Sequence, residues 1–570
     1  MSNPIVTKLT SHTYDPSKLN VFSGPNSLID YFNPDKNAPL PLVELPPKLN
    51  PYHADGVRIY AKMLTALPAT NVKSLPALSL LENGGVISLD STADERACQP
   101  IHTVTESSSG STVTSMAMIA RQHGVSKVRA WMSNKVSPTK SSLMRFFGLE
   151  LALFGGPSQS PPADPMGGIA KAAAQGREQG VYNPNQYENT ANPAAHERWT
   201  GKQLLEQLPE INVFAGGMGT GGTITGTAKR LKQDGNGVHV IGVCVARGDK
   251  IPGPRPRELL EPVDFPWKSL VDDVEDVASR ESYTLSMQLC RYGIVCGPSS
   301  GFSLQGLFQV LERRKRQGTL QKLRQQNDGK PIQAVFLCCD LPFQYVDEYF
   351  TKCDSKEFLP IVNEHLFKVD QYAYSTSWIL DVASAQTMLV YPRFPTSDVG
   401  HSGRVDLASP SELGSDPSES GSDTSAPASP GLLRPAILDL RSRTDFASGH
   451  LAHARNVPIS SLRSDDPSPY QDAVLLATQF TELNKRFVQV PKVQHTCPGN
   501  GVAELNRLSV EEMLSCLKSS GREVLVVDYT GETARLAVSV LRHAGVKAYS
   551  VIAGWQGLVE AGVQMVKSQA

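Results

Sequence analysis

At 570 residues the chain is too long for one compact core, so two or three domains are expected. Lys+Arg 55 against Asp+Glu 56 leaves a net charge of −1, which gives no electrostatic case for nucleic acid or an anionic membrane surface. Nine Cys without C-x-x-C pairs or His clusters read as reduced thiols in a cytoplasmic setting with no metal site, and no apolar run is long enough to span a bilayer. The N-terminus, Met1-Ser-Asn-Pro-Ile-Val-Thr-Lys8, has neither an apolar signal core nor an Arg-rich pattern.

Residues 1–40, rich in Pro, Asn and Ser, read as an N-terminal extension. From Pro41-Leu-Val-Glu-Leu45 onward the periodicity alternates. Strands are predicted at Val57–Lys62, Lys127–Met132, Leu149–Phe154, Ile211–Ala215, His239–Ala246 and Pro331–Cys338. Helices are predicted at Leu75–Leu81, Val113–His123, Ser141–Phe147, Gly167–Gln179 and Thr223–Lys232. Such alternation predicts an α/β fold with a parallel sheet covered by helices. A first domain over 41–395 is followed by a Ser/Pro/Asp-rich stretch, 396–433, with almost nothing to bury, which reads as a disordered linker. Alternation resumes at Pro435 and defines a second domain, 434–570. Phe350 to about Arg393 is ambiguous: it closes the first domain or belongs to neither.

Four stretches carry chemistry. Between strand 211–215 and the following helix lie five glycines in seven residues, Gly216 to Gly222. Such a turn offers backbone N–H groups and a helix N-terminus to one anion, with Thr220 and Thr223 adding hydroxyls; a phosphate is the natural guest. The dinucleotide fingerprint is also satisfied, but the next strand ends in Ala246-Arg247 without the acidic residue that holds a ribose. That argues against NAD and leaves NADP only tolerated. Lys73, in Asn71-Val-Lys-Ser74, stands at the edge of an apolar helix; desolvation there makes an amine nucleophilic, although a lone lysine is more often solvated. Ser108-Ser-Gly-Ser-Thr112 precedes another apolar helix and reads equally as an N-cap or as a cradle for a carboxylate. In Cys296-Gly-Pro-Ser-Ser-Gly301, Ser299 presents a hydroxyl to a ring nitrogen or caps a helix starting near Phe302.

Taken in order, these stretches resemble the cysteine synthase / cystathionine β-synthase family of fold type II pyridoxal-phosphate enzymes, over about Pro41 to Phe350. Asn71-Val-Lys-Ser is similar to the segment carrying the family's Schiff-base lysine. Ser108–Thr112 falls where the family has Thr-Ser-Gly-Asn-Thr, its substrate-carboxylate loop. Gln186-Tyr-Glu-Asn-Thr-Ala-Asn-Pro…His196…Thr200-Gly201 follows the family pattern, and Gly219-Thr-Gly-Gly-Thr223 reproduces its cofactor-phosphate loop. The resemblance implies a two-subdomain, tryptophan synthase β-like fold with pyridoxal 5'-phosphate as cofactor. Lys73, Ser111, Gly219, Thr220, Gly221, Gly222, Thr223 and Ser299 would bind that cofactor. Ser108, Ser109, Gly110, Thr112 and Gln186 would bind the substrate, with Lys73 as catalytic residue. The implied reaction is β-replacement on an activated serine, O-acetylserine or O-phosphoserine, through an aminoacrylate, with sulfide or another thiol or amine as nucleophile. A homodimer acting on small amino-acid substrates is implied as well.

Departures from the pattern are Ser74 for the usual Asp, Ser111 for Asn, and Ile251-Pro-Gly-Pro-Arg-Pro-Arg257…Phe265-Pro-Trp267 in place of a Gly-Ile-Gly stretch. Arg255 and Arg257 read first as solvated charges and second as holders of an acidic substrate or product. A β-eliminating lyase or deaminase, or a non-catalytic scaffold, are the competing readings. In the second domain, Ile437-Leu-Asp-Leu-Arg441, Val524-Leu-Val-Val-Asp-Tyr-Thr-Gly531 and Gly554-Trp555 resemble a rhodanese-like domain. Its sulfur-carrying Cys position is Asp528, which cannot form a persulfide. Cys497 reads as a loop thiol. The domain is therefore expected to be catalytically silent and to serve protein contact or solubility and not sulfur delivery.

Overall fold

The computed structural model describes residues 20–89, 101–159, 161, 164–233, 237–391, 434–489 and 502–567. The expected linker and Cys497 lie outside them. The chain forms two units, Met1–Leu359 and Pro360–Ala570.

The strands of the first unit are β1 (Leu42–Glu44), β2 (Val57–Met63), β3 (Thr103–Ser107), β4 (Lys127–Ser133), β5 (Glu150–Phe154), β6 (Val181–Tyr182), β7 (Val213–Gly217), β8 (His239–Val245), β9 (Asp273–Val277) and β10 (Ile332–Cys338). They form two sheets, one ordered β1-β2-β10-β7-β8-β9 and one ordered β5-β4-β3-β6. Only the β1–β2 pairing is antiparallel. The predicted strands and helices of this unit all form, with ends shifted by a few residues, because long apolar runs leave a parallel sheet few alternatives. Alternate residues of the large sheet feed different layers: Phe214, Val240, Val335 and Leu337 pack on one side, and Val213, Ala215, Ile241, Val243, Ala334 and Phe336 on the other.

The described part of the N-terminal extension packs on the unit's surface. Trp199 Nε1 donates to Asp35 Oδ1 at 2.9 Å, and the buried Lys62 ammonium donates to Leu40 O, Gln203 Oε1 and Gln207 Oε1 at 2.8, 2.8 and 2.6 Å. All three lysine donors meet neutral oxygens, and burial pushes the Lys62 pKa down to about 7.

The second unit contains β11 (Ile379–Leu380), β12 (Ala436–Asp439), β13 (His450–Leu451), β14 (Arg455–Asn456), β15 (Val524–Val527), β16 (Ala548–Val551) and β17 (Met565–Val566). Its main sheet runs β11-β16-β15-β12-β14, all parallel. Residues up to 395 were expected in the first domain; the structure places 360–391 in the second instead. β11 is an edge strand of that sheet, and Ala385 and Met388 are buried in one core with Ile437 and Leu525. The Tyr372 ring stacks on His543 at 3.7 Å, and its hydroxyl donates to Asn484 Oδ1 at 2.7 Å. A two-residue strand and one short helix carry too little periodicity to show which sheet they join. A fragment spanning 360–570 should therefore unfold cooperatively, while 434–570 should melt about 5 °C or more lower, as read by circular dichroism. Equal melting temperatures would place 360–391 outside the unit's core.

Candidate active site

The site assembles at the carboxyl ends of the strands, where loops of an open parallel sheet are free to carry function. A cavity of about 130 Å³ is lined by Lys73, Ser108, Ser109, Gly110, Ser111, Thr112, Gln186, Gly219, Thr220, Thr223 and Ser299. Gly221 and Gly222 are not among the lining residues; they are the residue before and the first residue of helix Gly222–Lys232.

Lys73 immediately precedes helix Ser74–Asn83. Its N–H donates to Asn71 Oδ1 at 2.9 Å, and Val72 N–H donates to Cys339 O at 2.6 Å. What surface Lys73 keeps opens into the cavity, and packing around the amine desolvates it and lowers its pKa. Nearby Cys339 and Asp340 act in the opposite sense. The end of β10 also anchors the Ser299 turn: Gly297 N–H donates to Asp340 O at 2.7 Å, and Ser300 Oγ accepts from Cys339 N–H at 3.0 Å. Asp340 is a cavity-lining residue that the sequence did not single out. Its side chain is buried, Oδ2 accepts from Tyr345 at 2.5 Å, and Oδ1 has no hydrogen-bond partner among the described residues. Burial pushes this carboxyl up to about 6. The one available signal was an acidic residue closing an apolar strand.

The glycine loop owes its shape to backbone constraints. Gly221 has φ +82°, a left-handed conformation that other residues adopt with strain. A Cβ on Gly222 would strike the carboxamide of Asn192. Asn192 Nδ2 in turn donates to Gln186 O at 2.7 Å and Thr220 Oγ1 at 2.9 Å, which orients that hydroxyl. Thr223 Oγ1 lies 3.1 Å from His196 Nε2, and His196 Nδ1 lies 3.0 Å from Thr200 Oγ1. Burial first, and then the Lys73 charge, push the His196 pKa down to about 3, so the imidazole is neutral. A neutral ring positions Thr223 without neutralising an anion at the loop.

Ser111 opens helix Ser111–Gln122, with Gly110 just before it. Gln186 Oε1 accepts from Thr112 Oγ1 at 3.0 Å, and its Nε2 donates to Ser107 O at 2.9 Å. The Gln186 amide thus fixes the serine loop from behind. Below it the buried Glu106 accepts from Ser107 N–H at 2.8 Å and Gln186 N–H at 3.2 Å, with its pKa raised to about 7 by burial. Ser299 lies inside helix Pro298–Arg316, whose N-cap position is Gly297; the expectation of a start near Phe302 is corrected, since Pro at the first position sets the helix one turn earlier. Arg257 is exposed, as expected, and donates to Val274 O at 3.1 Å. Arg255 is not solvated: it is buried, because its backbone is tied between Met218 O and Val245 N–H.

In the second unit, Asp528 follows β15 at the head of a loop leading into helix Glu532–His543. Its carboxylate accepts from Gly531 N–H, from Thr533 N–H at 2.8 Å and from Ala534 N–H at 3.1 Å. The loop amides are therefore engaged by the chain's own side chain. Burial raises this carboxyl to about 6. Among the described residues no His, Cys, Asp and Glu cluster could hold a metal, and no helix is long and apolar enough to cross a membrane.

The family model for pyridoxal-phosphate dependent enzymes matches residues 35–322, and that for the rhodanese-like domain matches 426–561. Cysteine synthase B of Escherichia coli is 31% identical over 262 residues, 45% of this chain and 80% of that protein. Cysteine synthase of Staphylococcus aureus is 29% identical over 263 residues, 44% of this chain and 80% of that protein. Among solved structures, O-ureido-L-serine synthase aligns at a TM-score of 0.46 and 20% identity, covering 57% of this chain and 96% of that one.

The neutral, buried His196 gives a pH prediction. Its folded pKa, about 3, is below the unfolded value, so its contribution is complete above about pH 6.5 and is lost as pH falls toward 3. His196→Gln should remove about one proton from the acid dependence, ~1 kcal/mol per pH unit between roughly pH 6 and 4. Urea titrations at several pH values check this; parallel curves for the two proteins would contradict a neutral His196.

Proposed function

The chain belongs to the pyridoxal-phosphate dependent enzymes, and from that membership we propose that it catalyses β-replacement on an activated L-serine, O-acetylserine or O-phosphoserine, with a sulfur or amine nucleophile. The carrying observation is one cavity with a desolvated lysine amine and a glycine loop built for an anion. The cofactor fits this donor set. Gly219–Thr223 offer amides, a helix N-terminus and two positioned hydroxyls to its phosphate, Lys73 is the amine that would hold its aldehyde, and Ser299 is the hydroxyl for its ring nitrogen. When bound, pyridoxal phosphate supplies an electron sink for negative charge at the substrate's α-carbon.

The protein's own groups do the rest. Desolvation lowers the Lys73 pKa, which favours the uncharged amine that would take the α-proton and return it. Ser108–Thr112, at the N-terminus of helix Ser111–Gln122, bind the substrate carboxylate, and Gln186 holds that loop in place. Ser299 offers a hydroxyl and not a carboxylate, so it would leave a ring nitrogen unprotonated, which would suit elimination and replacement at Cβ better than transamination. The names of the relatives, both cysteine synthases, support sulfide as the nucleophile.

Purified protein should carry a visible cofactor absorbance band. Lys73→Ala should abolish that band and lower turnover by at least ~1,000-fold while far-ultraviolet circular dichroism stays unchanged. An unaltered band in the variant would reject Lys73. Mass spectrometry of products from each activated serine with sulfide and an amine panel identifies the nucleophile; pyruvate alone would favour a lyase.

The rhodanese-like unit is read as silent in sulfur transfer. Asp528 supplies no thiolate, and its carboxylate occupies the amides that would cradle transferred sulfur. Thiocyanate formation from thiosulfate and cyanide should not exceed a protein-free control. Robust formation that is lost in Cys497→Ser would reverse this reading.

A further inference from the structure

A second cavity, about 350 Å³, adjoins the first and shares Lys140, Tyr187, Arg255 and part of the serine loop (Ser108, Ser109) with it, among other residues. Its charges are unbalanced. Lys135, Lys140, Lys250, Arg255 and Lys352 line it against a single acidic residue, Glu348. Glu348 is engaged by Lys140 at 3.1 Å, and Lys352 lies 3.5 Å from Asp249. No carboxylate lies within ion-pair distance of Lys135, Lys250 or Arg255 among the described residues.

Arg255 is the informative member. It is 6% exposed, at the boundary shared by the two cavities. Its guanidinium lies 4.5 Å from the Tyr187 ring centroid, and Nη2 donates to the Tyr187 hydroxyl at 2.8 Å. Nη1 is buried and has no hydrogen-bond partner among the described residues. The backbone is rigidly held: Arg255 N–H donates to Met218 O at 2.9 Å, Val245 N–H donates to Arg255 O at 3.1 Å, and Gln159 Nε2 donates to Pro254 O at 3.2 Å. A buried cationic donor without an acceptor is costly, and a preorganised one marks a place for an anion. The exposed Lys135 and Lys250 at the rim would draw that anion inward.

We propose that Arg255 binds a second anionic oxyacid group, a phosphate or carboxylate carried by one of the two substrates, apart from the α-carboxylate held at Ser108–Thr112. This rests on the β-replacement reading and narrows it. Either the serine donor is phosphorylated, or the nucleophile is acidic.

Two matched pairs separate these sources, using the full-length cofactor-loaded protein. The cofactor band is titrated with O-phospho-L-serine against O-acetyl-L-serine. Initial rates are measured with O-acetyl-L-serine as donor and thioglycolate against 2-mercaptoethanol as acceptor. One anionic member should be favoured, in apparent Kd or KM, by about 10- to 100-fold over its neutral counterpart. Arg255→Met should collapse that ratio toward one, and Arg255→Lys should retain part of it. Should Arg255→Met fail to fold, the rim double variant Lys135→Gln/Lys250→Gln should lower the ratio by roughly 3-fold or more and weaken its salt dependence. Preference for phosphoserine assigns the group to the donor, and preference for thioglycolate assigns it to the nucleophile. A response to both serines with no charge preference in either pair, or a preference that survives Arg255→Met, overturns this inference alone. A cofactor band silent to both serines overturns the β-replacement reading and this inference with it.

Discussion

Desolvation of one amine is the constraint on which the first unit depends. Lys73 can act as a nucleophile or base only if its charged form is disfavoured, and water must therefore be kept from it. The end of β10 contributes to this. Cys339 O fixes Val72 directly before Lys73, Asp340 O fixes Gly297 before the Ser299 turn, and both side chains face the same cavity. One strand terminus thus sets the distance between the amine and the hydroxyl turn. A one-residue shift of β10 would move both at once and would turn its apolar faces over.

The polar groups around the glycine loop form a neutral scaffold. His196, Thr200 and Thr223 form a chain of uncharged hydrogen bonds, and Asn192 bridges Gln186 and Thr220. In a buried setting an extra charge would bias every nearby group, whereas uncharged donors orient hydroxyls at small electrostatic cost. Positive charge enters at the boundary with the second cavity, where Arg255 and Lys140 line both cavities and Lys135 and Lys250 line only the second.

The second unit shows the opposite use of an anion cradle. The turn after β15 collects three amides, as a sulfur- or phosphate-binding loop does, and Asp528 places its own carboxylate on them. That internal ligand satisfies first-turn amides of helix Glu532–His543 and ties the loop to the end of β15. The buried pair Arg441–Asp439, with Arg441 lying 3.5 Å from the Trp555 ring centroid, braces the carboxyl end of neighbouring β12.

The sequence by itself determined the elements with strong local signals. Apolar runs such as Ile332–Cys338 fixed the strands, because a parallel sheet buries both faces. The five glycines within 216–222 marked a tight turn between strand and helix, because left-handed backbone at Gly221 and close approach at Gly222 exclude side chains. Ordered spacing brought Lys73, Ser108–Thr112, Gln186 and Ser299 into one candidate site. Tertiary structure alone decided what depends on neighbours distant in the chain. Residues 360–391 joined the second unit because Ala385 and Met388 fill a core that forms only with Ile437 and Leu525. Asp340 became part of the site because β10 lies between β2 and β7. Arg255, which reads in sequence as one more surface charge, is buried because Met218 and Val245 hold its backbone. Burial, and with it the pKa of every group in the site, is set by contacts that no local pattern encodes.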